Sequence, residues 1–386
     1  MEAECQLILE LISRSRMMMI QVLMIFLQFE EDQKEMEEEE DDDIEMACVF
    51  MEFSSSLTRM CAELVFQLEL LYPENLVQAL FPGEVNGGVR GRDVYEMLRF
   101  HRRRFWYLTS ETPESFLELV HLIGFDVILR RNTRLQRDPN VPSPPRPTLL
   151  SARNRVLLVV IWLRHFVTQE YLAFLFGISQ SIVSDEIHHV IPIMRVRLQN
   201  QVQWFGHYEA LAMRNSFPEF PNVIGMIDAT IHEIERPQHQ GLYWRGDKRR
   251  HFVFSQIICD TNYIIRDVEA GFQGHLNDTR AFNISKLGTG IIGIPPPCRI
   301  LADGGYPVRN PLLVPFTDEE AAGNPIRLEA NAHQRRRRVQ IENVIRAIKV
   351  AYSSKVVWRF GIEFQPLVVH VLCFLYNRRK RYFENM

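Results

Sequence analysis

The chain has 386 residues, 46% of them hydrophobic and 24% charged, with a formal net charge of -4. That balance is the composition of an ordinary soluble globular protein with material for two or three domains. Its six cysteines form no C-x-x-C pair and do not cluster, which excludes a disulfide framework and a zinc knuckle and points to a reducing compartment. The net charge hides an asymmetry. Residues 30–45 hold twelve acidic residues against one lysine, so the rest of the chain carries +7. A basic body of that kind is compatible with nucleic acid.

In chain order, residues 17–29 are strongly apolar and follow Arg14 and Arg16. The run is shorter than the roughly 20 residues of a bilayer-spanning helix. An acidic segment rather than a cleavage site follows it, so neither a membrane anchor nor a signal peptide is expected. Residues 30–45 read as a solvated acidic linker, because like charges repel and nothing there can be buried. A helical stretch is expected over 51–81, a Pro- and Gly-rich loop after it, and a basic helix over 93–105 with Arg99, Arg102, Arg103 and Arg104. Thr112-Pro113-Glu114 starts another helix, Thr as N-cap and Pro in the first turn. The Pro-rich stretch 138–147 is an extended linker.

A trihelical unit comes next: a buried helix over 151–166, a short helix over 168–176 ended by Gly177, and a third helix capped by Ser179 and running to about Pro192. The text TQEYLAFLFGISQSIVS has the helix, tight turn and helix of a helix-turn-helix. On the third helix Ile182, Val183, Ile187 and Val190 face the core, while Gln180, Ser181, Ser184 and His188 face outward toward base edges. Asp185 and Glu186 oppose that reading, since carboxylates repel phosphates. A purely structural three-helix bundle is the competing interpretation.

From Pro221 the texture changes. Residues 222–227 form an apolar run ending in Asp228, and 230–235 alternate as a half-buried strand. Residues 251–259 and 263–268 are strand-like, and 299–302 form a run ending in Asp303. A long amphipathic helix follows over 335–352, with Ile341, Val344, Ile345, Ile348 and Tyr352 on its apolar stripe, and a final helix over 364–376. Strands and then helices imply a mixed sheet covered by helices.

Metal-assisted phosphodiester cleavage needs carboxylates that converge from separate elements. Asp228 ends a buried strand, Asp278 follows a Gly-rich loop, Asp303 ends another run, and Glu342 sits on the long helix between Arg338 and Arg346, with Lys349 beyond. Each also has a plainer reading, as a turn former or one half of a surface ion pair.

Four segments in order carry a resemblance. VIGMIDATIHEIERP, GFQGHLNDTRAF, LADGGYPVRNPLLVPF and NAHQRRRRVQIENVIRAIK resemble the acidic motifs of the PIF/Harbinger transposases and the DDE endonucleases derived from them. The match runs from about Pro221 to Arg379, and the helix-turn-helix is similar too; residues 1 to about 95 are not covered. The resemblance implies an α+β, RNase H-like mixed sheet with flanking helices, preceded by an all-helical helix-turn-helix region. It implies a DDE triad of Asp228, Asp278 and Glu342 holding Mg2+ or Mn2+, with Asp303 as a further acidic position, and a two-metal hydrolysis of DNA. The family's first motif usually reads Asp-Gly; Ala229 replaces that Gly.

The expected organisation is therefore an apolar leader and acidic segment (1–50), a helical region with a Pro-rich linker (51–147), a helix-turn-helix unit (148–200) and the nuclease domain (215–386). DNA contact is expected from Arg335, Arg336, Arg338, Arg346, Lys349, Lys248, Arg249 and Arg250, and from Gln180, Ser181 and Ser184. Arg378-Arg379-Lys380-Arg381 is a further basic cluster suited to DNA contact or nuclear import. The family resemblance implies a separate Myb/SANT-like DNA-binding partner and residence in the nucleus, with the cytoplasm as a second compartment. The alternative reading is a catalytically silent DNA- or chromatin-binding adaptor, or a scaffold for such a partner.

Overall fold

The computed structural model describes residues 91–129, 149–351, 353 and 356–384. The apolar run over 17–29, the acidic segment, the helix expected over 51–81, the Pro-rich linker and Tyr352 lie outside the described residues. Five strands build the main sheet: β1 (Val223–Glu233), β2 (Arg250–Asp260), β3 (Ile265–Gln273), β4 (Arg299–Leu301) and β5 (Leu312–Leu313). The spatial order is β3-β2-β1-β4-β5, and the two-residue strand Trp244–Arg245 pairs with the start of β2. β1 and β2 are antiparallel, as are β2 and β3, whereas β4 runs parallel to β1 and β5 parallel to β4. This is a mixed sheet of the RNase H-like kind. The two apolar runs expected around Asp228 are one continuous strand, because β2 pairs with it without a break from Gly225↔Asp260 to Glu233↔Phe252.

Beside several short helices, the principal helices among the described residues are α1 (Val94–Leu98), α2 (Arg102–Thr109), α3 (Pro113–Leu129), α4 (Ala152–His165), α5 (Gln169–Phe176), α6 (Gln180–Arg197), α7 (Asp278–Ile284), α8 (Pro325–Lys349) and α9 (Gln365–Glu384). The single helix expected over 93–105 breaks at Phe100-His101. The break lets Phe105 turn inward onto Tyr95 and Phe116, with ring centroids 5.4–6.0 Å apart, a favourable aromatic packing. α4 starts as expected, with the Ser151 side chain accepting from the Asn154 amide. α5 ends at Gly177, whose φ of 65° suits the residue that has no Cβ. α6 runs past Pro192 to Arg197 because Val190, Ile191, Ile193 and Met194 stay buried on both sides of the proline. α8 starts ten residues earlier than expected, where Asn324 caps and Pro325 occupies the first turn.

One apolar core joins the helix-turn-helix to the sheet. It includes Val183, Ile187 and Val190 of α6, Val253 and Ile257 of β2, Ile341 and Val344 of α8, and Val371 and Leu372 of α9. An aromatic cluster reinforces the junction: Trp162 and Phe166 pack on Trp358 and Phe360 with centroids 5.2–6.2 Å apart. Asn377, fully buried on α9, accepts from the Ile265 amide and donates to the Ile265 and Gln201 carbonyls, locking α9 to the edge of β3. No helix among the described residues is long and apolar enough to cross a membrane.

The basic cluster at the end of α9 is a structural feature and not an open patch. Arg378 is buried and bonds Glu111, Ser115 and Glu118. Lys380 pairs with Glu384, and Arg381 donates to the Gln201 carbonyl. Sequence alone reads four adjacent cations as one solvated face; docking of α9 against α3 and the 199–201 turn separates them.

Candidate active site

The pairing of β1 with β4 assembles the acids. Met226 lies opposite Leu301 in parallel register, so Asp303, just past the end of β4, falls beside Asp228, midway along β1, on the same face of the sheet. Asp278 arrives at the first position of α7, where the Asn277 side chain caps the helix by accepting from the Arg280 amide. Thr279 donates to the Gly305 carbonyl at 2.7 Å, tying α7 to the loop after β4. The fit there is close: a Cβ at residue 305 would lie 2.8 Å from Asp278 Oδ2, so a larger residue there makes the carboxylate shift. On α8, Gln334 donates to the Ala302 and Leu313 carbonyls and clamps the helix across β4 and β5.

Arg338, one turn further along α8, reaches into the acids. It lies 3.5 Å from Asp228 Oδ2 and 3.1 Å from Asp303 Oδ1, with its side chain 14% exposed. Asp228 is pushed up to about 6, first by burial, against Arg338 and the Ala229 amide, which lower it, and with Asp303 and Asp278, which raise it. Asp278 is raised by burial and by Asp303, while Arg245 and Arg338 hold it down. Beneath the acids, buried Tyr306 accepts a hydrogen bond from Gln256 at 3.1 Å, and burial pushes its phenol far up, so it stays neutral. Three carboxylates thus face Arg338, with Arg245 near Asp278; burial is greatest at Asp228, while the Asp303 side chain remains 49% exposed.

The structure brings together Asp228, Asp278 and Asp303. Glu342 is exposed, one helical turn beyond Arg338 along α8. Arg245, Gln256, Tyr306 and Gln334 are the site residues that sequence reasoning missed. Tyr306 had a local signal, directly after Asp303-Gly304-Gly305. Arg245 had none, since its approach to Asp278 depends on strand pairing across the edge of β2.

The residues expected to touch DNA are placed unevenly. Arg335 and Arg336 are exposed and have no partner among the described residues. Arg346 is exposed beside Asn343. Lys349 is half-buried and donates to the Ile231 carbonyl, and Arg250 holds Glu233 through two 2.8 Å bonds. Lys248 and Arg249 are exposed on the turn before β2. On α6, Gln180 and Ser181 are exposed and Ser184 is half-buried. His188 is not free to read bases, because its ring stacks on Phe364 at 4.8 Å. Glu186, expected to repel DNA, points inward and pairs with Arg155 at 2.6 Å.

A site built only of oxygen donors suits hard divalent cations such as Mg2+ or Mn2+. The excess of carboxylate over cation fits such an ion chemically. Among the described residues, no three His, Cys, Asp or Glu side chains are already drawn together around one point to hold it. In this structure the guanidinium of Arg338 spans two of the carboxylates.

A mixed sheet carrying these acids follows a helix-turn-helix, and both parts are similar to known families. Residues 227–377 match the family model of the DDE superfamily endonucleases, and residues 148–200 match the helix-turn-helix of DDE superfamily endonuclease. Two curated proteins named "Putative nuclease HARBI1" are similar to this chain. The one from Rattus norvegicus is 24% identical over 214 residues, covering 52% of this chain and 59% of that protein. The one from Mus musculus is 28% identical over 153 residues, covering 38% and 43%. The chain thus spans about half the length of the curated relatives it matches. No solved structure matches it.

Proposed function

We propose that this protein is a metal-dependent DNA endonuclease derived from a Harbinger-type DDE transposase. The observation that carries the reading is the convergence of Asp228 on β1, Asp303 after β4 and Asp278 at the start of α7, inside the segment matched by the endonuclease family model. Asp228, Asp278 and Glu342 are the proposed catalytic acids, and Asp303 is the further ligand candidate. Mg2+ or Mn2+ held by these carboxylates would supply Lewis acidity toward an attacking water and the leaving oxygen. The chain's own groups do the rest. Asp228 presents acceptor oxygens from β1 and Asp278 from the first position of α7, and Tyr306 and Gln334 hold the loop after β4 in place. Exposed Arg335, Arg336 and Arg346 line the helix beside the acids and are the proposed contacts to DNA phosphates. The exposed first turn of α6, with Gln180 and Ser181, is the proposed base-reading end of the helix-turn-helix. Residence in the nucleus and a Myb/SANT-like partner belong to the same proposal.

The test is cleavage of supercoiled plasmid with Mg2+ or Mn2+, comparing the parent with Asp278→Ala. Loss of a metal-holding carboxylate is expected to lower the rate on the order of a thousandfold, about 4 kcal/mol of transition-state stabilisation. EDTA should abolish the parent's activity. A milder change checks the geometry: Gly305→Ala displaces the Asp278 carboxylate without removing it, and should slow cleavage roughly a hundredfold while the fold survives. Full activity in Gly305→Ala would show that the Asp278 carboxylate shifts without loss of function.

A second reading is a catalytically silent DNA-binding adaptor or scaffold. It is favoured by the exposed position of Glu342 and by the engagement of Arg338 with two of the acids. It requires DNA binding that ignores metal and survives loss of the acids. A salt titration tells it from a scaffold without DNA affinity, since phosphate contacts make binding fall steeply with salt.

A further inference from the structure

We propose that Arg338 is the resident cation of the acidic site: it balances Asp228 and Asp303 until a divalent metal displaces it, so that it weakens and gates metal binding. This rests on the reading of the three aspartates as metal ligands. The geometry is unlike that of a surface ion pair. The side chain is 14% exposed, its two terminal nitrogens engage two different carboxylates, and its Nε is buried with no acceptor. A guanidinium placed for stability alone would satisfy its Nε, because a buried donor without a partner is costly. Here the head group is aimed by the carboxylates at the expense of that bond. It spans the carboxylate oxygens that a metal would claim, and a guanidinium and a divalent cation cannot both hold Asp228 Oδ2 and Asp303 Oδ1 at contact distance.

The displaced head group has somewhere to go. Arg338 sits next to exposed Arg335 and Arg336 and one turn before Glu342, on the face proposed to meet DNA. A phosphate there offers the planar fork a partner as good as a carboxylate. Metal entry and DNA contact would thus be linked through one side chain, each favouring the other.

The test uses the full chain, Mn2+ alone as the probe, and no DNA. Calorimetric Mn2+ titrations are run on the parent, Arg338→Gln and Arg338→Lys, with the Mn2+-induced change in Tm as a second readout. Arg338→Gln is expected to bind Mn2+ at least about tenfold more tightly, the removal of one close competing charge. It should also melt lower than the parent in EDTA and gain more Tm from Mn2+. Arg338→Lys, which cannot fork across two carboxylates, should fall between them and decides the matter if Arg338→Gln does not fold. Equal or weaker Mn2+ binding in the variants overturns the proposal while leaving the metal site standing. No Mn2+ binding by any of the three proteins overturns both it and the metal-dependent nuclease reading.

Discussion

Replacing Arg155 with Met should cost the protein about 3–5 kcal/mol and lower its Tm by roughly 10 °C. Arg155 on α4 and Glu186 on α6 meet at 2.6 Å with side chains only 3% and 6% exposed. With the arginine gone, Glu186 remains in a place where water cannot replace its partner. The pair also joins the buried first helix of the trihelical unit to the helix proposed to read DNA, so its loss should loosen α6 against the core. The double variant Arg155→Met, Glu186→Met is the control. Two well-packed apolar side chains in place of a buried ion pair should restore most of the loss, because they remove both desolvation costs together. Thermal denaturation of the parent, single and double variants measures this. A single variant as stable as the parent would show that the pair is solvated in solution.

The second large effect has the opposite sign. Asp228→Asn should stabilise the metal-free protein at neutral pH while destroying cleavage. The carboxyl of Asp228 is pushed up from 3.8 to about 6, so between those values the folded protein holds a proton that the unfolded chain has released. Stability is therefore fully present below about 4 and is lost as pH rises through about 6. At pH 7 in EDTA the buried charge costs up to about 3 kcal/mol, reduced to about 2 by the residual solvent exposure of the side chain. Asparagine removes that cost and the pH dependence with it. Melting curves of parent and variant from pH 4 to 8 in EDTA should diverge as pH rises, by roughly 5 °C at pH 7. Parallel curves would mean that Asp228 is charged at no cost, with Arg338 as a complete counter-ion. An asparagine that adds stability and removes activity would place the strain of the site in its unfilled acids, the usual trade at a functional site.

How much of this was legible beforehand varies with the kind of information. Helix starts were readable where capping chemistry is local: Ser151, Thr168 and Thr112-Pro113 each announce a helix by their own hydrogen-bonding groups. Helix ends were less so. Pro192 looked like a stop because a proline removes one hydrogen bond and crowds the turn before it. Burial of Ile193 and Met194 against neighbouring elements outweighs that loss, and no local pattern reports it. The break in the basic helix near Phe100 is likewise decided at a distance, by the packing of Phe105 on Tyr95 and Phe116.

By itself the sequence determined the alternation of helical and strand regions, the helix-turn-helix text, and the identity of the acids at the ends of apolar runs. These are local matters of periodicity, turn chemistry and motif order. The tertiary structure alone decided which acids meet. Asp228 and Asp303 are 75 positions apart, and only the parallel register of β1 with β4 sets them side by side. It also sorted the basic residues, which look alike in sequence. Arg335 and Arg336 are left to solvent, Arg338 is drawn into the acids, and Arg378 is buried against Glu111. The reason is that a charge takes its role from the opposite charges and the water it finds in space, and neither is written in its sequence neighbours.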